Sequence, residues 1–100
     1  MTLTSLMGSF FVFGGENVKK IAVISALLED SINTQYEFNK IVANYKDIIK
    51  GRMGIPFNEY DVSVITLVAV GDIDEINSFT GKLGNIKNCS VKTSISKKDV

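Results

Sequence analysis

The 100-residue chain contains no histidine and no tryptophan, one cysteine (Cys89), one proline (Pro56) and a single arginine (Arg52). Without histidine it lacks the commonest general base, the commonest metal ligand and the residue that titrates near physiological pH. Zinc, nickel and triad chemistry are therefore poor expectations, and neither a cofactor nor a catalytic residue is predicted. A lone cysteine forms no internal disulfide, so stability has to come from packing, and a reducing, cytoplasmic compartment is expected. Eleven basic and eleven acidic side chains cancel to zero net charge. That balance argues against direct nucleic-acid binding, whose affinity comes mostly from lysine and arginine set against phosphate.

What is present suits one small domain. The composition is 45% apolar and 22% charged, and a chain of this length buries roughly 60–70% of its unfolded surface, enough for one core. Residues 1–17, MTLTSLMGSFFVFGGEN, read differently from the rest: they hold one charged side chain, Glu16, and no clean period. The apolar stretch Phe10 to Phe13 is too short to cross a bilayer. No basic residue precedes Lys19, so no export signal is read and no membrane partner is expected. Gly14-Gly15-Glu16-Asn17-Val18 can be encoded with a purine-rich ribosome-binding sequence ahead of a GTG start. The expectation is an N-terminal extension over 1–17 with little order, a start at Val18, and a folded domain over 18–100; an extra strand or anchor is the alternative.

From Lys19 to Leu28 a continuous apolar run rich in β-branched residues reads as a buried strand. Phe38, Ile41, Val42 and Tyr45 then fall on one helical face. Thr34 and Glu37 have capping-box spacing, with Ser31 as a competing start and an end near Tyr45. Asp47 to Ile55 alternates as a half-exposed strand that Pro56 stops, and its Gly51, Gly54 and proline place it at a sheet edge. Tyr60 to Val70 is the most β-prone stretch and belongs at the sheet centre. Asp72 and Glu75 cap a second amphipathic helix carrying Ile73, Ile76, Phe79 and Leu83 and closed by Gly84. Cys89, Val91, Thr93 and Ile95 alternate with polar residues in a last strand. The order βαββαβ predicts an α+β, ferredoxin-like fold: a four-stranded antiparallel sheet in the order 4-1-3-2 with both helices on one face.

In the two central strands neither alternating set is polar: Ile21, Val23 and Leu27 oppose Ala22, Ile24, Ala26 and Leu28, and Val62, Val64, Val68 and Val70 oppose Ile65, Leu67 and Ala69. Whichever set faces the helices, the other leaves aliphatic area in water, at a cost of roughly 25 cal/mol per Å². A homo-oligomer, either a dimer or a dimer of dimers, is expected to cover that face or extend a sheet edge. The alternative cover is the chain's own N-terminal segment.

Three places could bind something. Arg52, with Met53 and Gly54 beside it, could clamp a carboxylate or phosphate, or serve simply as a solvated edge arginine that discourages aggregation. Glu29, Asp30, Ser31 and Asn33 crowd the first strand-to-helix turn, which can hold a small polar ligand or be a plain helix cap. Thr80-Gly81-Lys82 lacks the spacing and position of a phosphate loop. Gly81 inside a helix costs about 1 kcal/mol relative to alanine, which raises the expectation of close packing against a partner or ligand. Cys89 alternates with core positions and reads as an inert thiol. The arginine that acylphosphatase-type enzymes carry in the first turn is absent, as are the central-strand aromatics of RNA-binding modules.

IAVISALLED, YKDIIKGRMGIPF, VSVITLVAVGDIDEINSFTGKLGNI and CSVKTSISK together resemble the iron-only hydrogenase system regulators, small ACT-like proteins of anaerobic bacteria. The family is related in fold to the C-terminal domain of the NikR regulators, and its link to hydrogenase rests on genomic context. The likeness runs from about Val18 to Lys97. It implies a regulator and not an enzyme, one that binds a small effector at a subunit interface near the first turn, GRMGIP and TGKLG, and acts through a protein partner. A ligand-free adaptor for hydrogenase maturation is the alternative. Nickel is not carried over, because its histidine ligands are missing.

Overall fold

The computed structural model describes residues 18–100. The expectations for 1–17, an extension of little order and an internal start, lie outside the described residues. The elements are β1 (Lys20–Glu29), α1 (Ser31–Asn44), β2 (Ile49–Phe57), a 3-10 turn (Asn58–Tyr60), β3 (Val62–Gly71), α2 (Ile73–Gly84) and β4 (Cys89–Ile95). All sheet pairings are antiparallel, in the order β2-β3-β1-β4. This is the ferredoxin-like arrangement expected from the sequence, read from the opposite edge.

Period-2 alternation sorts β1 and β3 cleanly. Ala22, Ile24, Ala26 and Leu28 of β1 and Ile65, Leu67 and Ala69 of β3 are buried, and they meet Phe38 of α1 and Ile76, Phe79 and Leu83 of α2 in one core. The β1–β3 register sets Ile21 opposite Val70, Val23 opposite Val68 and Leu27 opposite Val64 on the other face. Gly71 shows why that position is glycine: a Cβ there would lie 3.3 Å from both Ile48 Cγ2 and Glu75 Oε1.

Several local expectations need correction. Thr34 does not cap α1, which starts a turn earlier at Ser31 behind Asp30 in the left-handed region (φ 51°, ψ 58°). Thr34 is buried instead, its hydroxyl donating to the Glu29 carbonyl and tying the helix to the end of β1. Pro56 does not stop β2 but pairs with Ser63 inside it, as an edge strand tolerates because alternate N–H groups there face solvent. Tyr60 belongs to the 3-10 turn rather than to β3. Gly84 ends α2 without a left-handed turn, since no described glycine has positive φ. Asn88 (φ 67°) makes the left-handed step into β4.

The cap of α2 forms as the sequence predicts. The Glu75 N–H donates to Asp72 Oδ1 at 2.8 Å, and the Asp72 N–H reaches Glu75 Oε1 at 3.4 Å. Asp72→Ala should therefore cost about 1 kcal/mol, or roughly 4–8 °C in Tm for a domain of this size. Thermal denaturation followed by circular dichroism checks this, and an unchanged Tm would contradict the role of the cap.

Candidate functional site

β2 is one of the two edge strands, and nearly all its residues are exposed because the helices pack over the rest of the sheet. Its register decides what each face presents. Arg52, Gly54 and Pro56 pair with Leu67, Ile65 and Ser63 and so lie on the helix side. Gly51, Met53, Ile55 and Phe57 pair with Val68, Thr66, Val64 and Val62 and so lie on the open side.

On the helix side a cleft of about 200 Å³ opens between β2 and the start of α1, lined by Gln35, Arg52, Gly54, Ile55, Pro56, Ser63 and Ile65. Its floor is polar. Ser63, 3% exposed, shares a hydrogen bond with Ser31 at 2.7 Å between hydroxyl oxygens. Gln35 Nε2 donates to both hydroxyls, each at 2.8 Å. Asp61, in the left-handed region, accepts from the Ser31 N–H at 3.2 Å and holds the start of the helix against the β3 side. The Arg52 guanidinium lies 5.8 Å from the centre of the Phe38 ring, a cation–π contact that orients the side chain without neutralising it. Among the described residues the ion pairs are Lys20–Asp99 and Lys40–Glu37, so no carboxylate pairs with Arg52.

The structure gathers three of the residues singled out from the sequence: Arg52 and Gly54 line the cleft, and Ser31 underpins it. Asp30 and Asn33 border a separate depression of about 170 Å³ with Thr34, Glu37, Ile86, Lys87 and Asn88, where the Asn33 amide donates to the Asp30 carboxylate at 3.2 Å. Glu29 has its side chain on the open sheet face, and Met53, 61% exposed, is on that face too. Thr80, Gly81 and Lys82 lie on α2. Lys82 Nζ is 5.1 Å above the Tyr45 ring, and Tyr45 is about 15 Å along α1 from Gln35 at 1.5 Å per residue. The neighbouring Lys82 ammonium and then Ser78, whose hydroxyl oxygen is 2.9 Å from that of Tyr45, hold the Tyr45 hydroxyl below its ordinary pKa. A Cβ at Gly81 would meet nothing within 4 Å, so the close packing expected there is not supplied by the described residues. One copy therefore does not bring the TGKLG segment to the cleft.

Gln35 and Ser63 escaped the sequence reading. Ser63 left one trace: it is the only hydroxyl in the inward-facing set that continues Ile65, Leu67 and Ala69. Burial pushes the Cys89 thiol pKa up, which disfavours the reactive thiolate. Among the described residues no group of three or more Cys, Asp or Glu is placed to hold a metal ion, and no helix is long and apolar enough to cross a membrane.

The open sheet face is the second feature. Ile21, Val23, Leu27, Met53, Ile55 and Phe57 are 37–61% exposed there. Between these apolar residues Ser25 and Thr66 pair across the middle of the face, and Glu29 at the end of β1 and Lys92, beside Ser25 on edge strand β4, add charge.

The chain is similar in structure to the uncharacterized protein TM1266 from Thermotoga maritima: TM-score 0.75, 32% identity, covering 79% of this chain and 99% of that one. It also shares its fold with the C-terminal domain of the MgtC protein from Mycobacterium tuberculosis: TM-score 0.52, 11% identity, covering 85% of this chain and 95% of that domain. No curated protein matches it in sequence. The family model of TM1266-like proteins, described as iron-only hydrogenase system regulators, matches residues 20–93, the whole βαββαβ unit but for the last residues of β4. The chain belongs to the TM1266-like family of iron-only hydrogenase system regulators.

Proposed function

We propose that the protein is an oligomeric regulatory module of the iron-only hydrogenase system, which senses a small ligand in the cytoplasm and acts through protein partners rather than by catalysis or DNA contact. The observation that carries this reading is the apolar open face of the sheet. Four strands spaced about 4.8 Å apart and rising about 3.3 Å per residue present a face of roughly 19 by 30 Å. Stacking two copies would remove on the order of 1,000 Å² from water, the lower bound for a specific interface. A mostly aliphatic face around one Ser25–Thr66 pair, with Lys92 out on an edge strand, suits such a contact.

Edge strand β2 links the two functions. Arg52 and Gly54 lie on the cleft side of the strand while Met53, between them in the chain, lies on the open face. A ligand that orders Arg52 thus acts on a strand whose reverse side belongs to the interface. Binding at one face is thereby coupled to association at the other.

Multi-angle light scattering on the full chain tests the reading. The expected mass is about 22 kDa or a higher even multiple, against 11.0 kDa for one copy. A monodisperse monomer at micromolar concentration would overturn it. The ligand-free adaptor is distinguished by screening: it predicts an oligomer in which no compound perturbs the cleft.

A further inference from the structure

The floor of the cleft leaves one donor and one acceptor unused. Ser31, Gln35 and Ser63 form a closed triangle of contacts at 2.7, 2.8 and 2.8 Å. Only one orientation of the Gln35 amide places a proton on every side. With its nitrogen inward, the two N–H groups serve the two hydroxyls and one hydroxyl proton bridges the serines. With its oxygen inward, two hydroxyl protons would have to serve three oxygen–oxygen contacts.

In the satisfied arrangement one hydroxyl proton and the Gln35 carbonyl oxygen are left over, and no other hydrogen bond of the described residues takes either. Ser63 is 97% buried, from its 3% exposure, and lines the cleft. When Ser31 donates to it, its own proton is a buried donor without a partner, which costs free energy until an acceptor arrives. The same cleft holds the planar fork of Arg52, which pairs with no carboxylate of the described residues, and no acidic residue lines it.

We propose that the cleft binds a small monocarboxylate that also carries a hydrogen-bond donor next to the carboxylate. Arg52 holds the carboxylate, the Ser63 hydroxyl donates to the same group, and the ligand's donor returns a hydrogen bond to the Gln35 carbonyl. One guanidinium with a neutral floor balances one negative charge, so a dianion would leave charge uncompensated. A cleft of about 200 Å³, below the roughly 300–1,000 Å³ of sites for drug-sized ligands, suits a small acid. This proposal rests on the reading of the cleft as the sensing site and adds its chemistry.

The test uses the full chain, ¹⁵N-labelled, titrated with glycolate, acetate, methylammonium and inorganic phosphate while the Gln35 side-chain amide and Arg52 Nε–H signals are followed. Glycolate is expected to shift both signals and to bind several-fold more tightly than acetate, which lacks the donor, while methylammonium shifts neither. Arg52→Gln should weaken glycolate at least about tenfold, and Arg52→Lys, which keeps the charge and loses the fork, should recover only part of that. Ser63→Ala should weaken both acids, and Gln35→Glu should abolish binding by placing a negative charge on the floor. If phosphate shifts these signals and neither acid does, the carboxylate proposal falls and the sensing reading stands. If no probe shifts them, both fall. Equal affinity for acetate and glycolate would overturn the role of the Gln35 carbonyl.

Discussion

Phe38→Ala is expected to lower the unfolding free energy by about 3–5 kcal/mol, the range for deleting a buried aromatic side chain. Phe38 is completely buried in the core beside residues of both helices and the sheet. A domain of 100 residues has about 5–15 kcal/mol of stability to lose, so the variant would be marginal, with Tm reduced by roughly 12 °C or more. Urea denaturation gives the measurement: the midpoint should fall while the slope stays unchanged. A loss under about 1 kcal/mol would mean that the ring contributes little to the core. Phe38→Leu keeps most of the volume and should retain most of the stability. It removes the aromatic face beneath Arg52, and so separates the core role of the ring from its part in the cleft.

The second large effect concerns association. Val23 lies at the middle of the open face, paired across the β1–β3 ladder with Val68, and is 42% exposed in one copy. Val23→Lys should leave the fold of a single copy nearly unaffected, because a lysine there can extend into water. In a stacked pair the same lysine is buried against aliphatic side chains. The cost of burying unpaired charge is several kcal/mol, enough to weaken association by about a hundredfold or more. Light scattering should then report monomer at concentrations where the unmodified chain is assembled, with an unchanged far-ultraviolet circular dichroism spectrum. An unchanged oligomer would move the interface away from this face. Ser90→Lys, on the same face but on edge strand β4, should have a much smaller effect because a rim lysine stays hydrated.

The elements follow from patterns written within about ten residues. Alternation in β1 and β3, the helical face of Phe38, Ile41, Val42 and Tyr45, and the Asp72–Glu75 box are local signals, and each element they predict is present. The misreadings are local competitions that tertiary contacts resolved. Thr34 has the chemistry of a cap, yet burial against the end of β1 gives its hydroxyl a better acceptor in the Glu29 carbonyl. Pro56 has the chemistry of a strand stop, yet an edge strand has no outer ladder for it to interrupt.

Arg52 was conspicuous as the sole arginine, and the first turn by its crowd of polar side chains. Their meeting was not visible. Ser31 and Ser63 are 32 positions apart, and Gln35 and Ser63 are 28 apart. No short-range pattern encodes such a pairing.

Local periodicity was therefore enough to specify the strands, the helices, their order and the presence of a second apolar sheet face, since hydrophobic spacing acts on neighbouring residues. Only the folded chain settled which side of β2 each residue takes, because the bulge between Ile49 and Gly51 sets that register. A slip of one position would turn Arg52 to the open face and Met53 into the cleft. The polar floor beneath Arg52 likewise exists only once β3 is paired and α1 is laid across it. Distant hydroxyls become partners through the geometry of the whole sheet.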